Sequence, residues 1–294
     1  MRLPEATAAT GEVAATGEVA RPDAARARRR PRRATRLPGV TNLGVAVIGA
    51  SGRMGRAVCE AVDGAADLDL VARLGEDDDV AALEASGASV GVDFTVPSAT
   101  EGNVHDLLDA GLHAVVGTTG WTDESLGRVR QHLDRVNAGR EQGLGVLIAP
   151  NFALSAVLAM TFAQRAARFF ESVEVVELHH PDKVDAPSGT ALTTARHIAA
   201  ARAEAGLGAV PDATEKQVDG ARGAVVDGVH VHAVRLRGLV AHEEILLGNP
   251  GEQLTIRTDS FDRSSFMPGV LLAVREVVRR PGLTLGLDQV LDLG

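Results

Sequence analysis

The stretch GVAVIGASGRMG, residues 44–55, decides the fold of this chain. Its first half, GVAVIGA, is a short β-branched run bounded by glycines, which predicts a buried strand. The second half, GASGRMG, would then form a turn into a helix over GRAVCEAVDG. Glycines let such a turn approach a ligand closely, and the helix N-terminus offers free N–H groups to a pyrophosphate. The stretch therefore predicts a nucleotide-binding turn, for which a purely structural tight turn is the alternative.

The alternation of strands and helices continues after this turn. Further strands are predicted at residues 67–74, 90–95, 113–120 and 145–152, with helices at 99–110 and 123–135. Strands that alternate with helices of about ten residues indicate right-handed βαβ units and a parallel sheet. The first domain is therefore predicted to be α/β, a Rossmann-like parallel sheet with helices on both faces.

After Asn151 the pattern changes, which predicts a second, α+β domain built on a mixed or mostly antiparallel sheet. Helices are expected at 156–170 and 189–205, and strands at 172–178, 229–236, 242–249 and 252–260. A last helix at 267–279 is expected to pack back on the first domain. The predicted division is 1–42 as a disordered N-terminal extension, 43–151 plus about 267–294 as the dinucleotide-binding domain, and 152–266 as the second domain.

The N-terminal extension is predicted from composition. It holds nine arginines against four acidic residues, contains the tandem repeat ATGEVAATGEVA and has almost no large apolar residues. It also lacks the apolar segment of a secretory signal. A flexible tail, a basic interaction arm and an artefact of an upstream translation start stay open as interpretations.

Composition excludes several function classes. The whole chain has a net charge of −9, so the part after the basic extension is strongly acidic, which argues against nucleic-acid binding. No apolar run approaches the roughly 20 residues needed to cross a bilayer, which argues against a membrane protein. The single cysteine, Cys59, excludes an internal disulfide and a Cys-based zinc site, and fits a small buried side chain in a reducing cytoplasm.

The most polar stretch, ELHHPDKVDAPSGTAL at residues 177–192, follows a predicted strand. In an extended strand end His179 and His180 point to opposite sides, so they are expected to have different roles. Histidine is the side chain best suited to exchange a proton near neutral pH. Lys183 is one of only two lysines among 30 basic residues, which favours a specific use of its ammonium group over chance.

The end of this stretch predicts a helix start. Ser188 is expected to cap the helix, with Gly189 and Thr190 in its first turn, where backbone N–H groups would face an anion such as a carboxylate. The alternative is a capped helix after a solvated histidine-rich loop. The density of titratable groups favours a site. No metal site is predicted, because the adjacent histidines diverge and no third ligand has suitable spacing.

Two further loops are predicted at the carboxyl ends of strands, where open α/β sheets bind ligands. They contain Gly117, Thr118 and Thr119 in one loop, and Ala149, Pro150, Asn151 and Phe152 in the other. Each loop has a structural interpretation, but a cofactor site shared with the glycine turn explains all three. A dinucleotide fingerprint also expects an acid about 20 residues on. Gly75 stands there, with Arg73 before it and Glu76 and Asp77 after it, so the choice between NADH and NADPH stays open.

Taken together, these motifs resemble those of the dihydrodipicolinate reductase family. The resemblance is carried by residues 177–192, by GASGRMG, and by DFTVP, VVGTTGW, IAPNFALSAVL and DRSSFMPGVLLAVR in the same order. It covers about residues 44–294, and the histidine–lysine stretch is its most specific part.

The resemblance implies a cytoplasmic enzyme of lysine and diaminopimelate biosynthesis that reduces a cyclic imine-type dicarboxylate with NADH or NADPH. It implies that His179 is the general acid assisted by Lys183, and that His180, Ser188, Gly189 and Thr190 bind the substrate carboxylates. It further implies a homotetramer assembled through the second domain. The cofactor would be held by Gly49, Ala50, Ser51, Gly52, Arg53, Met54, Gly117, Thr118, Thr119, Ala149, Pro150, Asn151 and Phe152.

Two rival functions remain at this point. Another two-domain nicotinamide enzyme would share the glycine turn but would not need the histidine–lysine stretch. A nucleotide-sensing relative without catalysis would have no reason to keep a proton-donor cluster.

Overall fold

A computed structural model describes residues 42–293. The predicted N-terminal extension, except for its last residue, lies outside the described residues. Within them, no helix is both long and apolar enough to cross a membrane.

The first sheet has six strands, all paired in parallel. Its strands are β1 Leu43–Ile48, β2 Leu68–Leu74, β3 Val90–Asp93, β4 His113–Val116, β5 Gly145–Ile148 and β11 Gly282–Leu285. Their order across the sheet is β11-β5-β4-β3-β1-β2. The apolar residues of the inner strands β3, β4 and β5 are almost fully buried because helices cover both faces of the sheet.

Four helices cover this sheet: α1 Arg53–Gly64, α2 Pro97–Asp109, α3 Asp123–Asn137 and α6 Met267–Val277. Val62 of α1 and Val274 of α6 belong to one apolar cluster, which packs on Val45 and Val47 of β1. On the other face, helices α2 and α3 contribute to a second cluster that includes Ile48. The predicted Rossmann-like architecture is confirmed.

The second sheet is mixed and has five strands in the order β10-β9-β6-β8-β7. They are β6 Ser172–His179, β7 Ala224–Val226, β8 Val229–Arg235, β9 Ala241–Asn249 and β10 Glu252–Ser260. Strands β6 and β8 are parallel, whereas the other pairs are antiparallel. Helices α4 Leu154–Ala166 and α5 Gly189–Glu204 pack on it, and Val175, Ile198 and Ile245 lie in the resulting core. The predicted mixed sheet is confirmed.

The structure corrects several predicted bounds. Strands β4 and β5 end at Val116 and Ile148, because residues 117–120 and 149–152 leave the sheet as loops. Helix α4 ends at Ala166 and continues only as a 3-10 turn at Ala167–Phe169. Sequence inspection missed β7, β11 and the 3-10 helix Val80–Ala85, since three to six residues are too few for a periodic signal. Cys59 is a buried free cysteine, as predicted.

Candidate active site and cofactor groove

The glycine turn after β1 is built for close backbone approach. Gly49 has φ +76°, and its carbonyl accepts a hydrogen bond from the N–H of Gly52 at 2.9 Å. A Cβ added to Gly55 would lie 2.1 Å from the Gly49 carbonyl oxygen, so only glycine fits there. Gly52 occupies the N-cap position of α1 without a side-chain cap. The first N–H groups of α1 are therefore not taken up by a capping side chain, which suits a pyrophosphate.

A groove of about 490 Å³ runs beside this turn. It is lined by Gly49, Ser51 and Gly52, and by Gly75, Glu76 and Asp78 after β2. The Asp78 carboxylate accepts a hydrogen bond from the N–H of Gly75 at 2.6 Å. Arg73 forms an ion pair with Asp63 at 2.7 Å and is not part of the lining. The groove wall at this end therefore carries two acids and, among the described lining residues, no basic side chain.

Not all residues of the predicted turn line the groove. Ala50 and Met54 pack against the apolar cluster that contains α1 and α6. Arg53, the first residue of α1, is exposed. Ala50 and Met54 therefore pack into the core, and Arg53 lies at the start of α1. None of the three forms part of the groove wall.

The loop after β4 is tied to the loop after β3. Thr118 is buried; its hydroxyl donates to the Asp93 carboxylate at 3.0 Å and accepts from the N–H of Thr95 at 3.0 Å. Asp93 is fully buried and also accepts from Asn103 at 2.8 Å. A Cβ on Gly117 would lie 2.0 Å from the Phe94 ring. The side chain of Thr118 thus ties the loop after β4 to the loop after β3. Thr119, the next residue, is exposed.

The loop after β5 joins the two sheets at the site. Ala149 and Phe152 are buried, and the Phe152 ring packs 5.7 Å from that of Phe94. Asn151 accepts a hydrogen bond from the N–H of Ala153 at 2.9 Å. Its amide nitrogen lies 3.4 Å from the hydroxyl of Thr190, at the start of α5. Asn151 therefore connects the end of a first-sheet strand to the predicted carboxylate-binding turn.

A cavity of about 230 Å³ lies where these elements meet. Its walls come from six segments of the chain. They include Pro150, Asn151, Ala153, Ala156, His179, Ser188, Thr190, Ala241, His242, Glu243, Thr258, Ser260 and Phe266. The pocket thus combines two histidines, the capped start of α5 and a loop of the first sheet.

His179 is held by a buried carboxylate. Its Nδ1 lies 2.7 Å from Glu177, which is fully buried two residues earlier on the same face of β6. Both oxygens of Glu177 accept from Arg235 at 2.7 Å, and one accepts from the N–H of Ser188 at 3.0 Å. Burial raises the pKa of Glu177, but hydrogen bonds from Arg235 and His179 outweigh it, so the net pKa lies below the usual value. Glu177 therefore stays ionised and fixes the orientation of the imidazole.

The imidazole itself titrates at lower pH than a free histidine. Burial lowers the pKa of His179, and the hydrogen bond to Glu177 raises it only in part. Ser188 caps α5 as predicted, since its hydroxyl accepts from the N–H of Ala191 at 3.2 Å. A titratable histidine and the capped N-terminus of α5 therefore share one pocket.

Comparison with known proteins identifies the family. Two family models match the chain: dihydrodipicolinate reductase, N-terminus, over residues 43–152, and dihydrodipicolinate reductase, C-terminus, over residues 155–291. The chain belongs to the dihydrodipicolinate reductase family. This confirms the resemblance drawn from the sequence motifs.

Relatives of this family match almost along their whole length. The chain is 68% identical over 249 residues to 4-hydroxy-tetrahydrodipicolinate reductase of Beutenbergia cavernae, covering 85% of this chain and 98% of the relative. It is 59% identical over 254 residues to the reductase of Streptomyces griseus, covering 86% and 100%. Dipicolinate-bound dihydrodipicolinate reductase from Paenisporosarcina sp. TG-14 matches with TM-score 0.77 and 34% identity, covering 85% and 100%. An amine dehydrogenase from Mycobacterium smegmatis, at 12% identity and TM-score 0.56, shares the fold alone.

In this member of the dihydrodipicolinate reductase family, six residues were predicted to act on or bind the substrate. Three of them line the pocket and three do not. His179, Ser188 and Thr190 line it, whereas His180, Lys183 and Gly189 stand outside its walls. His180 is exposed just after β6 ends. Lys183 is partly buried and forms an ion pair with Asp185 at 2.7 Å. The two histidines do separate as the strand geometry predicts.

Sequence inspection of this reductase-family chain missed several residues that line the pocket or hold His179 in it. Glu177 had a readable signal, because a residue two positions before His179 shares its strand face. Arg235, Glu243 and Ser260 had none, because each reaches the site from a different strand of the second sheet. Within residues 42–293, no group of three or more His, Cys, Asp or Glu side chains is arranged to hold a metal ion.

Proposed function

We propose that this chain catalyses the nicotinamide-dependent reduction of 4-hydroxy-tetrahydrodipicolinate to tetrahydrodipicolinate, a step of lysine and diaminopimelate biosynthesis. The observation that carries this proposal is the pocket in which carboxylate-anchored His179 faces the same cavity as the capped start of α5 and Asn151. The reaction consumes one hydride and one proton and releases water. A proton donor beside an anion-binding turn is what such a dicarboxylate requires.

The glycine turn and its groove are proposed as the cofactor site. The close approach of Gly49 and Gly55 forms the tight turn on which a pyrophosphate would bind, and the loops at 117–119 and 149–152 would lie toward the nicotinamide. A bound nicotinamide supplies the hydride. The chain's own residues orient it: the Asp93–Thr118 tie fixes one loop and the Phe94–Phe152 contact the other.

The groove wall supports a preference for NADH. Its two acids, Glu76 and Asp78, would repel the 2′-phosphate of NADPH but accept hydrogen bonds from ribose hydroxyls. Arg73, which could have attracted the phosphate, is paired with Asp63. We therefore expect NADPH to be used with lower kcat/KM than NADH.

His179 is proposed as the proton donor. Because Nδ1 is engaged by ionised Glu177, Nε2 is the ring nitrogen left to give a proton to the substrate. Burial favours the neutral imidazole in the free enzyme. Two substrate carboxylates would favour the imidazolium, so the donor would be charged mainly when substrate is present.

The substrate carboxylates are proposed to bind at the start of α5 and at nearby cations. Ser188, Gly189 and Thr190 would offer N–H and hydroxyl groups, which complement an anion at the positive end of the helix. His180 and Lys183 stand outside the cavity walls, so they would contact the substrate only after residues 180–187 move toward it. Lys183 would then exchange its ion pair with Asp185 for one with a carboxylate.

The domain division and assembly follow as proposals. Residues 43–151 with 267–294 would form the cofactor domain, supported by the packing of α6 on α1 and of β11 on β5. Residues 152–266 would form the substrate and oligomerisation domain of a cytoplasmic homotetramer. On the sheet face opposite α4 and α5, Val176, Leu178 and Leu246 are only half-buried, which supports an interface there.

A coupled assay tests the function. The purified protein is mixed with aspartate semialdehyde, pyruvate and the synthase that condenses them, and reduced-cofactor absorbance is followed with NADH and with NADPH. We expect pyruvate-dependent oxidation, faster with NADH. No oxidation above the pyruvate-free control with either cofactor would refute the proposed reaction.

A further inference from the structure

Glu243 is a pocket residue to which the proposed reaction assigns no role. It lies on β9, is only 6% exposed, and lines the same cavity as His179 and Ser188. Strand register sets it directly opposite Glu177 on β6. Side chains opposite each other in an antiparallel pair lie about 5 Å apart at Cβ. Two carboxyl groups are therefore buried side by side, and that of Glu243 lines the pocket.

The two carboxyl groups have different partners. Glu177 holds a bidentate contact with Arg235 and a hydrogen bond to His179, so it is compensated as an anion. Glu243 has the hydroxyl of Thr194 on α5 as its hydrogen-bond partner, and no ion pair is found for it within residues 42–293. The other titratable residues near Glu243 are His242 and Asp259 of β10. They pair with each other, with His242 Nδ1 at 2.7 Å from the Asp259 carboxylate.

This asymmetry determines which carboxyl carries the proton. Burial raises the pKa of Glu243 to about 7, and the negative charge of Glu177 acts in the same direction. The hydrogen bond with Thr194 opposes the shift but does not cancel it.

We propose that Glu243 is a substrate-binding residue, whose carboxyl group donates a hydrogen bond to a carboxylate of the bound substrate. The inference rests on the proposed function, because it needs a dianionic ligand in this cavity. An ionised Glu243 would repel such a ligand, whereas the neutral acid adds a donor to a wall that already has Ser188 and Thr190. Binding of the dicarboxylate therefore requires the protonated residue, and affinity falls as Glu243 ionises.

Binding of pyridine-2,6-dicarboxylate across pH tests this. About nine-tenths of Glu243 is protonated one pH unit below a pKa of about 7 and about one-tenth one unit above it, so wild-type affinity should weaken about tenfold between those two pH values from this residue alone. Glu243→Gln keeps a donor but cannot ionise, so it should lose this component and bind more tightly than wild type at the higher pH. Glu244→Gln is the matched control, because Glu244 is the next residue of β9, on the opposite face, and pairs with Arg257 at 2.7 Å. It should keep the wild-type profile.

His179 also titrates in the pocket, and a second variant separates its contribution. His179→Gln should retain the tenfold dependence if Glu243 is the linked group, and this outcome decides the matter even if Glu243→Gln does not fold. Unchanged pH dependence in a folded Glu243→Gln, or its loss in His179→Gln, overturns the inference. A wild type that binds the dicarboxylate but gives no turnover in the coupled assay would overturn the proposed reaction while leaving the role of Glu243 in dicarboxylate binding intact.

Discussion

In the groove proposed for the cofactor the shape comes from the backbone, whereas in the pocket proposed for the substrate it comes from side chains. The groove depends on Gly49 and Gly55, which lie only six residues apart in sequence and leave no room for a Cβ. The pocket depends on Glu177 and Arg235, which lie 58 residues apart and meet through the pairing of β6 with β8. A local backbone motif is robust to changes elsewhere in the chain, whereas a charged network fails when any one member is removed.

The largest effect is expected in the pocket. His179→Gln removes the proposed proton donor, so kcat should fall by about 10²–10⁴-fold, the usual contribution of general acid catalysis. NADH affinity, measured by fluorescence titration, should be unchanged because the groove is untouched. His180→Gln is the control: His180 is exposed outside the cavity walls, so it should raise KM more than it lowers kcat. A larger loss of kcat in His180→Gln than in His179→Gln would assign the role of proton donor to His180 instead.

Glu177→Gln tests whether the network acts as a unit. The amide cannot hold Arg235 and His179 as an anion does, so His179 is mispositioned and kcat should fall by about 10²-fold. Glu177 raises the pKa of His179, so its loss lowers that pKa further. Since the donor must be protonated, the alkaline decline of kcat should move to lower pH. Glu174→Gln, on the opposite face of β6, should leave the pH profile in place; equal shifts in both variants would argue against a specific role of Glu177.

Gly55→Ala tests the backbone side of the comparison. Its Cβ would lie 2.1 Å from the Gly49 oxygen, and overpacking of this kind costs about 1–3 kcal/mol. NADH affinity should weaken by roughly tenfold, since about 1.4 kcal/mol corresponds to one decade. Dicarboxylate binding should stay near the wild-type value. Gly64→Ala, where an added Cβ meets nothing within 4 Å, is the control. Normal NADH affinity in Gly55→Ala would show that this turn does not hold the cofactor.

The smallest effect is expected at the groove rim. Glu76→Gln removes one exposed negative charge near the proposed ribose position. The ratio of kcat/KM for NADPH to that for NADH should rise by up to about fivefold, as expected from an exposed charge worth at most about 1 kcal/mol. Glu84→Gln, an exposed acid outside the groove lining, should not change this ratio. Preference for NADPH in the wild-type protein would contradict the electrostatic interpretation of this wall.

The same contrast explains what the sequence could predict. Apolar β-branched runs and the alternation of strands with helices located the long elements, and glycine spacing located the tight turn after β1, because these signals are local. Ser188 could be predicted as a helix cap for the same reason. Strand β11 could not, since four residues carry no period and its place beside β5 depends on the whole chain. Glu243 could not be predicted either, because only strand register sets it opposite Glu177.

The return of β11 to the edge of the first sheet has a consequence for synthesis of the protein. Strand β5 gains its outer partner only from residues 282–285, which follow all five strands of the second sheet. While the ribosome makes the second sheet, the outer edge of β5 has no strand to pair with, and unpaired edges are prone to join other chains. The outer edge of β5 therefore stays open to such pairing until the last residues of the chain have been made. Truncated products that lack the last strand would keep this edge open permanently.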